Sequence, residues 1–249
     1  MKLEAVTVCV GYADFLRVTA PLNQPFFDRW VIVTDPKDEE TFEVCHKFNL
    51  NVLVTDDFYR DGEFNKGRAI QRGLNNLSCQ EWVLHVDADI ALPPVFPAAL
   101  RMAHLDPEII YGCDRMMVKS YEEWVKIQSA GYYQHGRHCY VLPHEKYPIG
   151  TRWASSTDGY VPIGFFQLFH HQALLKKGMW QKPYLAHHGD AARSDVQFGL
   201  QWDRRNRALL PEMLVWHLES EKSPLGANWR GRTTRRFGPD STKLPTKAY

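Results

Sequence analysis

No stretch of this 249-residue sequence approaches the roughly 20 consecutive apolar residues that cross a bilayer as a helix, and its first residues lack the basic-then-apolar pattern of a signal peptide. The expected compartment is the cytosol. Cysteine is scarce: Cys9, Cys45, Cys79, Cys113 and Cys139 are an odd number with no Cys-x-x-Cys spacing. That speaks against a disulfide framework or a thiolate zinc site and leaves mostly buried thiols as the expectation. An excess of either charge is also missing, with 30 basic residues against 29 acidic ones and a net charge of +1. The field of the whole molecule therefore gives no reason to expect nucleic acid or an anionic membrane, and any such partner must be argued from a local patch. Internal repeats and low-complexity tracts are absent as well.

What the chain does have is 44% apolar residues over a length that suits one large domain or two small ones. Ala5-Val6-Thr7-Val8-Cys9-Val10, ended by Gly11-Tyr12 and followed by an amphipathic stretch through Phe15, Leu16 and Val18, reads as strand, turn and helix. Trp30 to Pro36 is a second strand with Asp35 at its end, followed by a helix from Glu39 to Phe48. Asn51 to Asp57 is a third, and Ala69, Ile70 and Leu74 mark a helix before a fourth. Continuous apolar strands alternating with helices predict a parallel sheet covered on both faces, the doubly wound arrangement.

The fourth strand carries the most informative feature. Trp82-Val83-Leu84-His85-Val86 runs into Asp87-Ala88-Asp89, two carboxylates one residue apart, followed by the loop-like Ala91-Leu92-Pro93-Pro94. Sixteen aspartates in 249 residues make about one Asp-x-Asp expected by chance, so only its position carries weight. In an open α/β sheet the C-terminal ends of the strands face the ligand, and paired carboxylates there suit a divalent cation and a phosphorylated substrate. The bland alternative is a solvated strand end.

Further along, the stretch after Pro97 predicts a helix through Leu100, Arg101 and Met102 to Leu105, Ile109 to Gly112 a strand, and Gly164 to His170 another. Ser194 reads as the N-cap of a helix that carries Asp195 in its first turn. Leu209 to Leu218 is a late strand ending in His217. The segment from Tyr121 to Thr157 is rich in Tyr, Trp, His and Gly and reads as irregular core or aromatic cleft wall; His135-x-x-His138-Cys139 within it reads as loop or cleft rather than a zinc site.

These parts in this order resemble the GT-A family of nucleotide-sugar-dependent glycosyltransferases, over most of residues 5 to 220. The resemblance implies an α/β fold of GT-A type, a Rossmann-like doubly wound mixed sheet with helices on both faces. It implies one domain over 1–225, with a nucleotide-binding half (1–95) and an acceptor half (96–225), and a basic lid or tail over 226–249. It further implies a metal, Mn²⁺ or Mg²⁺, held by the Asp-x-Asp motif and a sugar-nucleotide donor, with a UDP-sugar favoured by family frequency. On that pattern Asp89 is the direct ligand, Asp87 contacts the ribose or the metal through water, and His217 adds a third ligand unless it is simply a satisfied strand-end histidine. Gly11, Asp35 and Asp56 become nucleotide candidates; Asn65, Lys66 and Arg68, at a helix start, become donor candidates unless the two cations only line a solvated face. Inverting members of the family use a carboxylate at a helix start as the base, a place that Asp195 matches, with Asp190 as backup; an aspartate that merely complements the helix dipole is the competing reading.

Residues 221 to 249 hold seven basic side chains against two acidic ones. They read as a lid over 226–236 in which Arg230, Trp229, Arg232 or Arg235 meets the diphosphate, as a contact to a polyanionic acceptor such as DNA with hydroxylated bases, or as a solvated end. Two further functions compete with glycosyl transfer to a glycan, small molecule or DNA base. Sugar nucleotidyl transfer lacks its Gly-rich N-terminal loop with a following Arg and Lys, and a non-catalytic sugar- or DNA-binding module leaves the rim carboxylates unexplained.

Overall fold

The computed structural model describes residues 1–56, 58, 65–78, 80–131, 152–172, 191–219 and 236–241. Strands β1 (Leu3–Val8), β2 (Arg29–Thr34), β3 (Asn51–Val54) and β4 (Trp82–Val86) alternate with helices α1 (Ala13–Asn23), α2 (Glu39–Lys47) and α3 (Lys66–Asn75). There follow β5 (Ile90–Ala91), α4 (Phe96–Met102), β6 (Ile110–Val118), α5 (Tyr121–Ser129), the small hairpin β7 (Ala154–Ser155) and β8 (Gly159–Tyr160), β9 (Phe166–His170), α6 (Ala191–Leu200) and β10 (Arg207–Leu218). The main sheet has eight strands in the order β3-β2-β1-β4-β9-β6-β10-β5. β1 to β4 are parallel, as the continuous apolar strands predicted, whereas β9 runs antiparallel to both β4 and β6, and β5 antiparallel to β10. The sheet is thus mixed, with helices on both faces, the α/β class expected from the sequence.

Alternation along each strand decides which helix covers it. Ala5 and Ile32 point into a core with Ala13, Leu16 and Ala20 of α1 and Val44 and Cys45 of α2. Val6, Val8, Val31 and Val33 point the other way, onto Ala69, Ile70 and Leu74 of α3. α3 lies very close to the sheet at Gly73, where an added Cβ would meet Val6 Cγ2 at 2.2 Å. The helices begin on their own polar side chains: Asp38 accepts from the Thr41 N–H at the head of α2, and Asn65 from the Arg68 N–H at the head of α3.

Four expectations are corrected, the first being the irregular reading of 121–157, whose start is the regular helix α5, capped by Ser120. Ser194 is not an N-cap, because α6 begins at Ala191 and places both Ser194 and Asp195 inside the helix. β6 is nine residues rather than a short strand; its buried Asp114 and Arg115 disguised its continuation. β10 begins at Arg207 and is irregular: Leu209 pairs with Gly112 of β6, but Leu214 already pairs with Asp114. One described stretch of the basic segment also reaches the core. Phe237 is buried, stacked on Phe15 at 4.9 Å and edge-on to Tyr121 at 5.5 Å, its N–H donates to the Asp14 carboxylate, and Arg236 pairs with Glu40. Of the expected cysteines, Cys9, Cys45 and Cys113 are buried free thiols.

Candidate active site

The turn from β4 to β5 is held from beneath by helix α1. Thr19, wholly buried, donates from Oγ1 to the Ala88 carbonyl at 2.8 Å, and Asn23, also buried, donates to the Ile90 carbonyl at 2.7 Å and accepts from the Leu92 N–H at 2.9 Å. Thr7 of β1 donates to the Val86 carbonyl at 2.7 Å. From the other side β10 closes on the turn: Ile90 pairs with His217, and the Leu218 N–H donates to the Asp89 carbonyl at 2.8 Å. These bonds fix both aspartates in space with no freedom of the loop left over.

The result is a line of ionisable groups at the C-terminal rim. Asp89 Oδ2 lies 3.2 Å from His217 Nε2, both residues buried. Burial opposes ionisation of Asp89, yet the imidazole of His217 and the more distant ammonium of Lys66 outweigh it and hold the carboxyl below its ordinary range. Asp87, half-buried, takes Lys66 Nζ on Oδ1 at 2.6 Å. Lys66 is the first residue of α3; burial favours its neutral form, but Asp87, Asp195 and Asp89 together raise it above the usual lysine value. His85 lies behind Asp87, with Nε2 at 3.7 Å from Oδ1, and burial drives its imidazole down to about 4, so it is neutral.

Asp195 joins this group from α6. The Gly164 N–H donates to its Oδ2 at 2.5 Å and the Val196 N–H to its Oδ1 at 2.7 Å. A Cβ at position 164 would lie 2.7 Å from Oδ2, so glycine is what permits the approach. Gln167, buried in β9, donates to the Asp195 and Pro162 carbonyls at 2.8 and 2.9 Å and meets His85 Nδ1 through Oε1 at 3.3 Å. Burial pushes the Asp195 carboxyl up to about 6, against the two backbone donors and the charge of Lys66. A carboxylate in that range is ionised at neutral pH and still able to take a proton.

The other candidates fall less centrally. Gly11, in the left-handed region at φ 66°, donates its N–H to Asp38 Oδ2 at 2.8 Å, so the turn after β1 is tied to the turn after β2. Asp35 is buried and accepts from the Lys37 N–H at 2.9 Å, and Asp56 is exposed beyond β3. Asn65 uses its side-chain oxygen as the α3 cap, and Arg68 lies part-buried on the same first turn. Asp190, Arg230, Trp229, Arg232 and Arg235 lie outside the described residues, as do His135, His138 and Cys139. Sequence reasoning missed Thr19, Asn23, Asp38, Gln167 and two groups beside Asp89 and His217: Arg115 of β6 and Glu219. The Glu219 carboxyl is pushed up to about 7 by burial, against His217 and Arg115.

Among the described residues no group of three His, Cys, Asp or Glu side chains is arranged to hold a metal ion, and Asp89 with His217 is the pair that could take part in holding one. Asp89 Oδ1 and His217 Nδ1 are buried without a hydrogen-bond partner among the described residues, and an orphaned carboxylate oxygen is an unmet demand for a cation or donor. Two protein ligands completed by substrate phosphates and water are a normal set for such an ion.

No protein-family model matches this sequence, and no curated protein matches it. The fold is similar to that of glucosyl-3-phosphoglycerate synthase from Mycobacterium tuberculosis. The structure of that enzyme with Mn²⁺, uridine diphosphate and glucosyl-3-phosphoglycerate aligns at a TM-score of 0.50 and 14% identity, covering 92% of this chain and 76% of that one. Its complex with Mn²⁺, UDP-glucose and phosphoglyceric acid aligns at 0.49 and 15%, with the same coverage. At this identity the likeness is one of fold: the mixed, helix-flanked sheet of this chain is of the GT-A type expected from its sequence.

Proposed function

We propose that this protein is a metal-dependent glycosyltransferase that moves a sugar from a nucleoside-diphosphate sugar, with UDP as the favoured nucleotide, to an acceptor hydroxyl with inversion. The observation that carries the reading is the convergence of Asp89, with its orphaned oxygen, on His217, beside Lys66 and Asp87 and within the electrostatic reach of Asp195. The synthase with the same fold binds Mn²⁺ and uridine diphosphate, which is consistent with such a donor.

Asp89 and His217 would hold the cation, and an imidazole ligand favours Mn²⁺ over Mg²⁺. Bound there, the cation neutralises the charge that develops on the departing diphosphate. Lys66, released from Asp87, reaches the same phosphates as a second positive charge, while Asp87 is freed for the ribose. Gly11 and the buried Asp35 border the nucleotide on the β1 and β2 ends, with Arg68 and Asn65 at the head of α3. Asp195 Oδ accepts the proton of the attacking hydroxyl as the new bond to the anomeric carbon forms and the bond to the diphosphate oxygen breaks.

The test is release of nucleoside diphosphate from a panel of nucleotide sugars with Mn²⁺ and no acceptor. Slow release from one donor is expected, reduced about 100-fold or more by Asp89→Ala. If no donor is hydrolysed and none raises the melting temperature in the presence of Mn²⁺, the reading is wrong.

A further inference from the structure

Arg115 is a cation for which the proposed donor chemistry has no use. It lies on β6, 9% exposed, with its guanidinium 4.4 Å above the ring of Phe165. Its Nε is buried without a hydrogen-bond partner among the described residues. The adjacent Asp114 is already taken, because both its oxygens accept from Arg152 at 2.6 Å. Burial lowers its pKa from the ordinary arginine value, and Asp89, Asp87 and Glu219 offset part of that through space. A buried guanidinium with an open fork, held flat by an aromatic ring, is costly to leave unused and is shaped for a planar or tetrahedral oxyanion.

Its surroundings say which oxyanion. Arg115 and Phe165 line a small pocket together with Ile163, Tyr160 and the Asp114–Arg152 ion pair. The three residues from Ile163 to Phe165 therefore do two things at once. The N–H of Gly164 holds the Asp195 carboxylate, and the next residue carries the Arg115 guanidinium on its ring. Arg115 also belongs to the half of the sheet beyond β9, away from the nucleotide strands β1 to β3.

We infer that Arg115 binds an anionic group, a phosphate or carboxylate, carried by the acceptor, and so selects acidic acceptors whose hydroxyl is then delivered to Asp195. This rests on the transfer reading above and adds the substrate class. The guanidinium binds and orients; it takes no part in proton transfer.

The probe is inorganic phosphate, titrated into the full chain with and without saturating UDP and Mn²⁺ and followed by calorimetry. Phosphate is expected to bind the wild type in both conditions, about tenfold or more weaker in Arg115→Met, and less severely weakened in Arg115→Lys, which keeps the charge but loses the fork. Binding by folded Arg115→Met equal to that of the wild type overturns the inference, as does displacement of phosphate by UDP, which would mark the donor's diphosphate site instead. If Arg115→Met does not fold, Arg115→Lys decides: unchanged affinity overturns the proposal. Failure of UDP and Mn²⁺ to bind at all would count against the transfer reading alone, since the phosphate titration without them still reports on Arg115.

Discussion

Asp195 stands where a carboxylate is costly to ionise. Its pKa is raised from 3.8 to about 6 by burial, so the unfolded chain gives up this proton at lower pH than the folded one. The fold is therefore relatively favoured below about pH 4 and loses that advantage as pH rises through about 6. Asp195→Asn removes the penalty. It also sets an amide NH2 against one of the two backbone N–H donors, so the expected result is a flatter dependence of the melting temperature on pH between about 4 and 8, worth at most about 3 kcal/mol relative to the wild type, on top of a constant loss from the broken hydrogen bond. In the wild type the same group predicts transfer activity that falls about tenfold per pH unit below pH 6, a limb that a pH–rate profile will show and that Asp195→Asn abolishes along with transfer. Stability given up at one residue in return for reactivity is the usual mark of a functional site. At this scale the sequence was legible wherever a charged residue ended an apolar strand, as at Asp87, Asp89 and His217. Thr19, Asn23 and Gln167 stayed hidden, because a buried polar residue inside a helix or strand differs from an exposed one only by partners that lie far away in sequence.

Helix α3 shows how an element carries the site. Its Gly73 lets the helix lie close enough for Lys66, at its other end, to reach Asp87. In Gly73→Ala the new methyl would stand 2.2 Å from Val6 Cγ2 and 2.8 Å from Val33 Cγ2, so the helix must lift from the sheet. Overpacking of this kind typically costs about 1–3 kcal/mol, more than the small gain in helix propensity returns. Urea unfolding is expected to show a lower midpoint with an unchanged slope. The elements themselves were mostly readable, since apolar runs and helical spacing locate β1 to β4, β9 and β10 to within a few residues. Two of the failures share a cause. Charged Asp114 and Arg115 made β6 look finished, and Ser194 made α6 look as though it had just begun, because in each case a residue with a tertiary role imitates a local boundary signal.

For the whole molecule, the segment from Arg236 to Ser241 matters more than its place near the end of the chain suggests. Phe237 closes a core built from Phe15 of α1, Trp124 of α5 and Trp216 of β10, and Arg236 ties it to Glu40 of α2. Phe237→Ala is expected to cost about 3–5 kcal/mol and lower the melting temperature by on the order of 10 °C in a calorimetric scan, whereas a loosely attached tail would give no shift. In the sequence Phe237 spoke only against a fully disordered segment, and nothing local showed that its ring belongs to the core.

The irregularity of β10 has a consequence of its own. Between its pairs with Gly112 and Asp114, β10 advances five residues while β6 advances two, three extra residues in all. Three is odd, so the strand emerges with its two faces exchanged. His217 is thereby in phase with Arg115 and Met117 and not with Gly112 and Asp114. A single inserted or deleted residue that the bulge did not absorb would slip every later pair by one and present Trp216 or Leu218 where the imidazole now stands. The bulge acts as a buffer for the site: a length change there is tolerable only where the bulge takes it up and leaves His217 opposite Met117.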